Sequence, residues 1–412
     1  MGSKILKPYF QIEKLVLQFI AAEFFIQLVN ASFMMILNIY LSKKGYEDHQ
    51  IADFISLRFL TVMLLAFPLG LFIKGRNLKP LFYIAAIGVF IFSIGILLAA
   101  EFKQIDMIYA SAALWGMCYG IVQVLALPFI IRNTSEKTKT AAISLSYATY
   151  SLAMILAGII IFVLNHFNPL YFDEFKCLLL LALLSGISIY FIFSMQQKEV
   201  IPAFEGSRLS LSGFDWGTIA FAMTPSLLLA IGAGLTIPFI NLFFFKVFKM
   251  ESDNFALLNS FSSITVAGAA LLVPHVRAKY GYKIAITRTQ SIAVISLALL
   301  ACTEFYATFE YSLYFAIFFF LIRQPLMNMA APVSSELVMQ YVGPKNQEII
   351  SALTASIWSG SWFFSALIFS VLRKNGFAYA NVFLITAGIY AIAVLWYHFL
   401  IKAHLAKEQI KN

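Results

Sequence analysis

Glu23 stands about nine residues into a long apolar run, where an ionised side chain costs at least ~2.5–3.5 kcal/mol if the run crosses a bilayer. It heads a polar stripe, because Gln27, Asn30 and Asn38 follow at spacings that keep them near one helical face. A carboxyl so placed can take a proton facing one side of a membrane and release it on the other. It can equally be a fixed partner of an arginine that ties two helices together.

Three cations also fall inside apolar runs: Arg58, Arg288 and Arg323. Arg288 lies five residues beyond Lys283 and can snorkel to the surface. Arg58 sits near Asp53, but five positions round a helix do not bring the two face to face. Arg323 lies near the middle of its run, two residues before Pro325, with Gln324 and Asn328 four apart on one face. Its planar fork suits a carboxylate or phosphate. The alternative is an internal salt bridge, with Glu23 as one possible partner. Three cations within the runs, or two with Arg288 set aside, against one acid favour an anionic or zwitterionic ligand over an organic cation.

Aromatic residues supply a second set of candidates. Trp115, Tyr119 and Gln123 recur every four residues, as do Trp358 and Trp362. Such rings can grip an apolar or amphipathic body, or serve as helix packing and an interface belt. Asn241 is the remaining polar candidate. Enzyme chemistry has no footing: there is no zinc-protease motif, no phosphate-binding glycine loop, and the five histidines do not cluster. The three cysteines (Cys118, Cys177, Cys302) give neither a disulfide framework nor metal spacing. No cofactor and no metal are expected. Asn133-Thr134-Ser135 matches a glycosylation acceptor by chance.

The elements that position these residues follow from composition. Of 412 residues, 61% are apolar and 12% charged, against roughly 45–50% and 25% in soluble domains. The chain is expected to be an all-α integral membrane protein. Apolar runs lie at 15–41, 51–73, 81–100, 107–131, 141–165, 177–195, 215–247, 255–275, 284–302, 311–340, 348–372 and 380–402. The first has no cleavage site and reads as a retained helix. Pro225 and Pro238 in run 7, and Pro325 and Pro332 in run 10, predict kinked or locally unwound helices.

Of the 29 lysines and arginines, eighteen fall on the side of the N-terminus, eight opposite and three within the runs. The positive-inside rule puts both termini in the cytoplasm. The charge of +9 is then a girdle facing membrane lipid, and no nucleic-acid partner is expected.

The chain also repeats. Asn38 answers Asn241, Lys79 answers Lys283 and Pro128 answers Pro332, at offsets of 203 or 204. Two six-helix halves are predicted, 1–195 and 215–412, joined by a polar linker at 196–214 rich in serine and glycine.

Twelve helices in two parallel-oriented halves resemble the major facilitator superfamily of transporters. The loop 276–283 is similar to the family's basic loop through Lys279, Gly281 and Lys283, although Ala278 stands in place of the aspartate. The loop carrying Lys74, Arg76 and Lys79 keeps the charge and also lacks the acid. The resemblance implies that these loops help gate the cytoplasmic side, and that helices 1, 4, 7 and 10 line a central cavity. Two marks of the family's drug antiporters are missing: Gly116 occupies the arginine position four before Gly120, and run 5 has Gly158 but no proline.

The expected protein is a secondary transporter of two pseudo-symmetric six-helix bundles, working by alternating access on a small or amphipathic organic solute. Glu23 is the expected proton-coupling acid. Arg323, Arg58, Gln27, Asn30, Tyr119, Gln123, Asn241, Gln324, Asn328, Trp358 and Trp362 are the candidate substrate contacts. A multidrug exporter, a lipid or lysolipid flippase and a non-transporting receptor are the alternatives. Short loops lean toward a bacterial inner membrane, and the resemblance toward a monomer.

Overall fold

A computed structural model describes residues 10–73, 76–135, 138–196, 199–200, 215–343 and 347–411. Lys74, most of the predicted linker, and the lysines and arginine at 4, 7, 137, 198, 208 and 345 used in the charge count lie outside them. The described residues contain helices and no strand.

Among the described residues, twelve long helical elements follow one another, one at each apolar run in order. They are α1 (Lys14–Lys43), α2 (Asp48–Phe72), α3 (Lys79–Glu101), α4 (Ile105–Arg132), α5 (Lys139–Phe167), α6 (Glu174–Phe193), α7 (Trp216–Phe248), α8 (Ser252–Tyr282), α9 (283–302), α10 (Ser312–Val342), α11 (Gln347–Lys374) and α12 (Tyr379–Lys411). Among described residues, ten candidate spans are long and apolar enough to cross a membrane; α8 and α11 are not among them.

Two helices break at repeat-related places. In α1 a π-turn at Phe33–Leu37 precedes Asn38, and in α7 a 3-10 turn at Ile237–Phe239 precedes Ile240 and Asn241. Pro238 explains the second, since proline has no N–H to continue the ladder. No proline marks the first, so it was not legible as a break. Run 10 is not unwound at its prolines: α10 is continuous with Pro325 and Pro332 inside it. Side chains that satisfy freed carbonyls make such prolines tolerable in a membrane. The carbonyls that lose a helical partner here are those of Leu321 and Asn328, four residues before each proline.

The chain divides into two compact units. The first comprises Met1–Glu47, Leu57–Leu209 and Glu251–Ser260; the second comprises Asp48–Ser56, Ser210–Met250 and Phe261–Asn412. Within the first, α1 packs on α5 and α6, and α3 on α4 and α6. Within the second, α7 packs on α11 and α12, and α9 on α10 and α12. Each pairing recurs six helices later, which is the pseudo-symmetry expected of the repeat.

Lipid offers no hydrophobic drive between helices, so fit and polar contacts must hold them. Phe19, Phe82 and Phe129 interlock in the first unit with ring centres 4.6–5.1 Å apart. Phe239 stacks on Phe369 at 3.6 Å in the second.

The exchanged segments explain themselves chemically. In the second unit Asp48, opening α2, accepts from Lys246 at 2.5 Å, Arg373 at 2.8–2.9 Å and the Tyr379 hydroxyl at 2.6 Å. In the first unit Glu174 accepts from Lys43 at 2.7 Å and from Ser252, opening α8, at 2.6 Å. Lys43 also pairs with Glu251. Asp48 and Ser252 differ by 204 positions, as do the repeat landmarks.

Candidate functional site

The polar stripe of α1 assembles a hydrogen-bonded chain with α2 and α4. The Arg58 Nη2 donates to Asn30 Oδ1 at 2.6 Å, and the Asn30 amide donates to the Tyr119 hydroxyl at 3.0 Å and to Gln27 Oε1 at 3.1 Å. The Tyr119 hydroxyl in turn donates to Gln27 Oε1 at 2.9 Å. Four of the predicted substrate contacts are therefore one network inside the first unit.

Local packing dictates where the guanidinium goes. A Cβ on Gly116 would lie 2.5 Å from the Arg58 carbonyl oxygen and 2.6 Å from Thr61 Oγ1, so the α2 backbone rests directly on α4 at that glycine. An arginine at position 116 has no room. Arg58 instead supplies a guanidinium from the neighbouring helix. Its carbon lies 4.2 Å from the Trp115 ring centre, 5.2 Å from Phe59 and 5.5 Å from Tyr119. Trp115 and Tyr119 stack on each other at 5.6 Å with 12° between planes.

Arg58 is 7% exposed. Its remaining partner is the Met34 sulfur at 3.4 Å, its Nε has no hydrogen-bond partner, and it makes no ion pair among the described residues. A buried guanidinium held only by neutral groups and rings keeps the capacity to take an anion.

Glu23 is buried one turn along α1 from Gln27, and Oε2 accepts the Ser146 hydroxyl of α5 at 2.6 Å. Neither Glu23 nor Arg323 makes an ion pair among the described residues of its own unit. Ser146, Met34 and Phe59 were missed by sequence reasoning. An uncharged serine in an apolar run carries no signal until its partner is known.

Arg323 belongs to the second unit and is 1% exposed. Its Nη1 donates to Gln324 Oε1 at 2.9 Å, while Nε and Nη2 are buried without hydrogen-bond partners. Tyr390 faces it. Arg323 is 204 positions after Tyr119, so the two repeats place a tyrosine and an arginine at one register of α4 and α10.

The other candidates are less convergent. Asn241 is buried and its Oδ1 accepts the Leu242 amide at 2.8 Å, a local contact. Asn328 is spent on the Gln324 carbonyl, Gln123 is exposed, Trp358 is 38% exposed and Trp362 is half-buried.

At the loops, Lys279 and Lys283 are exposed, and Gly281 takes φ +69°, a left-handed value that suits glycine where α8 meets α9. Arg277 beside them donates to Glu336 of α10 and to the Tyr282 hydroxyl, both at 2.7 Å. Lys79 donates to the Met195 carbonyl, and Arg76 is exposed with its guanidinium 4.1 Å from the Phe72 ring centre. Arg288 is exposed, as snorkelling requires. Among the described residues no cluster of His, Cys, Asp or Glu could hold a metal.

The fold is similar to solved transporters. A bacterial homologue of the iron transporter ferroportin, in its inward-facing state, superposes with a TM-score of 0.73 at 12% identity, covering 95% of this chain and 98% of that one. The nucleoside transporter NupG gives 0.70 at 15% identity over 95% and 100% of the two chains. A D-xylose-proton symporter gives 0.70 at 14% over 94% and 96%. No curated protein matches the sequence. The family model of the Major Facilitator Superfamily matches residues 19–366, and the chain belongs to that superfamily.

Proposed function

We propose that this transporter moves a small or amphipathic organic solute bearing a carboxylate or phosphate, either anionic or zwitterionic, by alternating access coupled to protons. The observation that carries the reading is Arg58: buried, walled by Trp115 and Tyr119, and paired with no acid among the described residues. The guanidinium supplies the anion contact and the rings a surface for the apolar body. Arg323 is a second anion contact in the same chemical state.

Glu23 is the proton carrier in this reading. A carboxyl bonded to one serine hydroxyl, with no cation pinning it ionised, is free to change protonation state as its surroundings wet and dry. The same feature supports a second reading, a lipophilic-cation exporter in which Glu23 holds the cation itself. Both termini in the cytoplasm, the two halves 1–195 and 215–412, action as a monomer and a bacterial inner membrane complete the proposal.

A thermal-shift screen of purified protein against anionic, zwitterionic and cationic compounds tests it, because a ligand of the folded state raises Tm. Anionic or zwitterionic hits lost in Arg58→Gln are expected. Cationic hits lost in Glu23→Gln, with none lost in Arg58→Gln, overturn the anion reading. In reconstituted vesicles, proton-driven flux of a hit that survives Glu23→Gln unchanged removes Glu23 as the coupling acid.

A further inference from the structure

The two halves treat their loop-to-helix contacts with opposite charge. In the second half Arg277 meets Glu336 at 2.7 Å. The positions 204 earlier are Ile73 and Arg132, and they also meet: Arg132 Nη2 donates to the Ile73 carbonyl at 3.2 Å, and Nη1 to the Arg76 carbonyl at 3.3 Å. Where the second half has an acid at the foot of α10, the first half has a cation at the foot of α4. With Arg76 and Lys79 beside it, that corner of the first unit would carry unbalanced positive charge.

The missing acid arrives from elsewhere in the chain. Glu199 follows α6, and its side chain is only 3% exposed. One oxygen accepts the amides of Leu78 at 2.7 Å and Lys79 at 3.3 Å, capping the start of α3. The other oxygen lies 3.9 Å from Arg132. Two further contacts fix the same stretch: the Val200 amide donates to Asn133 Oδ1 at 2.9 Å, and Lys79 donates to the Met195 carbonyl. A free helix start exposes unpaired N–H groups and partial positive charge, and a carboxylate there answers both.

We propose that Glu199 is the acid of the first-half loop, a positioning residue that pins the chain leaving α6 onto the start of α3 and the end of α4. The strand of chain that enters the predicted linker is thereby moved with that corner of the unit. Asn133, which read as a stray glycosylation match, is part of the seat.

The test is a distance measurement that needs no substrate. Spin labels on Arg76→Cys and Val200→Cys, in a full-length chain lacking its native cysteines, report the separation of loop and post-α6 segment by pulsed electron resonance. One narrow distribution is expected with Glu199 present, at least doubling in width in Glu199→Ala and Glu199→Gln. Adding Arg132→Gln to Glu199→Gln removes the uncompensated cation and should restore part of the narrowing, which a mere packing role would not produce. An unchanged width in Glu199→Ala overturns the seat. A width that stays narrow in Glu199→Gln, or no recovery in the double variant, overturns the charge-balancing role. Should Glu199→Ala fail to fold, the near-isosteric Glu199→Gln and its double variant carry the decision.

Discussion

The Arg58 guanidinium carbon lies 4.2 Å from the centre of the Trp115 ring. A desolvated cation over an indole gains up to about 2 kcal/mol from the ring, which helps offset its burial without an acid. Trp115→Leu should therefore weaken an anionic thermal-shift hit by roughly five- to thirtyfold, the factor that about 1–2 kcal/mol implies. Trp115→Phe, which keeps a π face, should lose less. Titration calorimetry of the same compound on both variants reads the order, and equal affinity in Trp115→Leu and the parent chain would remove the ring from the site.

Gly116 holds the two partners at this separation. Its missing side chain admits the α2 backbone, and a Cβ would stand 2.5 Å from a carbonyl oxygen that has no rotamer to retreat into. Gly116→Ala should cost about 1–3 kcal/mol, the range of overpacked interiors. Gly120→Ala meets a Val62 methyl at 3.3 Å and the Val62 Cα at 3.5 Å, ordinary or slightly tight contacts, and should cost less. A melting comparison in detergent distinguishes them; equal Tm values would mean that α2 and α4 stand further apart than described.

Much of this was legible because membrane burial makes charge conspicuous. Glu23, Arg58 and Arg323 announce themselves by type and depth alone, and Asn30 and Gln27 by sharing a face with Glu23. Assembly was not legible. Helix geometry already sets Asp53 aside, but nothing in a sequence says that Arg58 of α2 reaches Asn30 of α1 at 2.6 Å, because that depends on the glycine contact between α2 and α4. The π-turn before Asn38 was invisible for a related reason: an extra residue in a helical turn needs no special amino acid. The repeat pointed to the place, since Asn241 follows a break that a proline does mark. Ser146 and Glu199 have ordinary types, and only the fold gives them partners.

Two carboxyls at the foot of the first unit should respond to pH with opposite sign. Glu13 is raised by burial, but this is outweighed by the Ser135 amide and the Thr138 hydroxyl, which leave its pKa below the usual carboxylate value of 4.5. The unfolded chain then binds more protons, so the stabilisation is present above about pH 4.5 and is lost as pH falls through the lower folded value. Glu199 is pushed above 4.5 by burial, which the Leu78 and Lys79 amides and Arg132 offset only in part. Its folded form binds more protons, so its contribution is present below the unfolded value and is lost as pH rises through the raised one. Melting temperatures from pH 3.5 to 8 should show the parent chain gaining on Glu13→Gln as pH rises at the acid end. Against Glu199→Gln it should lose ground as pH rises above about 4.5. Parallel curves for either pair would contradict the corresponding environment.

Asp48 offers a sharper stability test because one carboxylate answers two cations. It is 7% exposed and accepts from Lys246, Arg373 and the Tyr379 hydroxyl together. Asp48→Asn leaves the ammonium of Lys246 and the guanidinium of Arg373 facing each other with no acid between them. Removing one member of a buried ionic group costs about 3–5 kcal/mol, much of it from the charge left behind. Lys246→Met removes a cation whose side chain is 34% exposed and leaves the Asp48–Arg373 pair intact. Solvent screening holds that loss to about 1 kcal/mol or less. The expected order of Tm is therefore parent, then Lys246→Met, then Asp48→Asn well below both. The double variant should fall by less than the sum, since the second substitution removes a cation the first has already stranded. An Asp48→Asn protein as stable as Lys246→Met would mean that the two cations do not converge on this carboxylate.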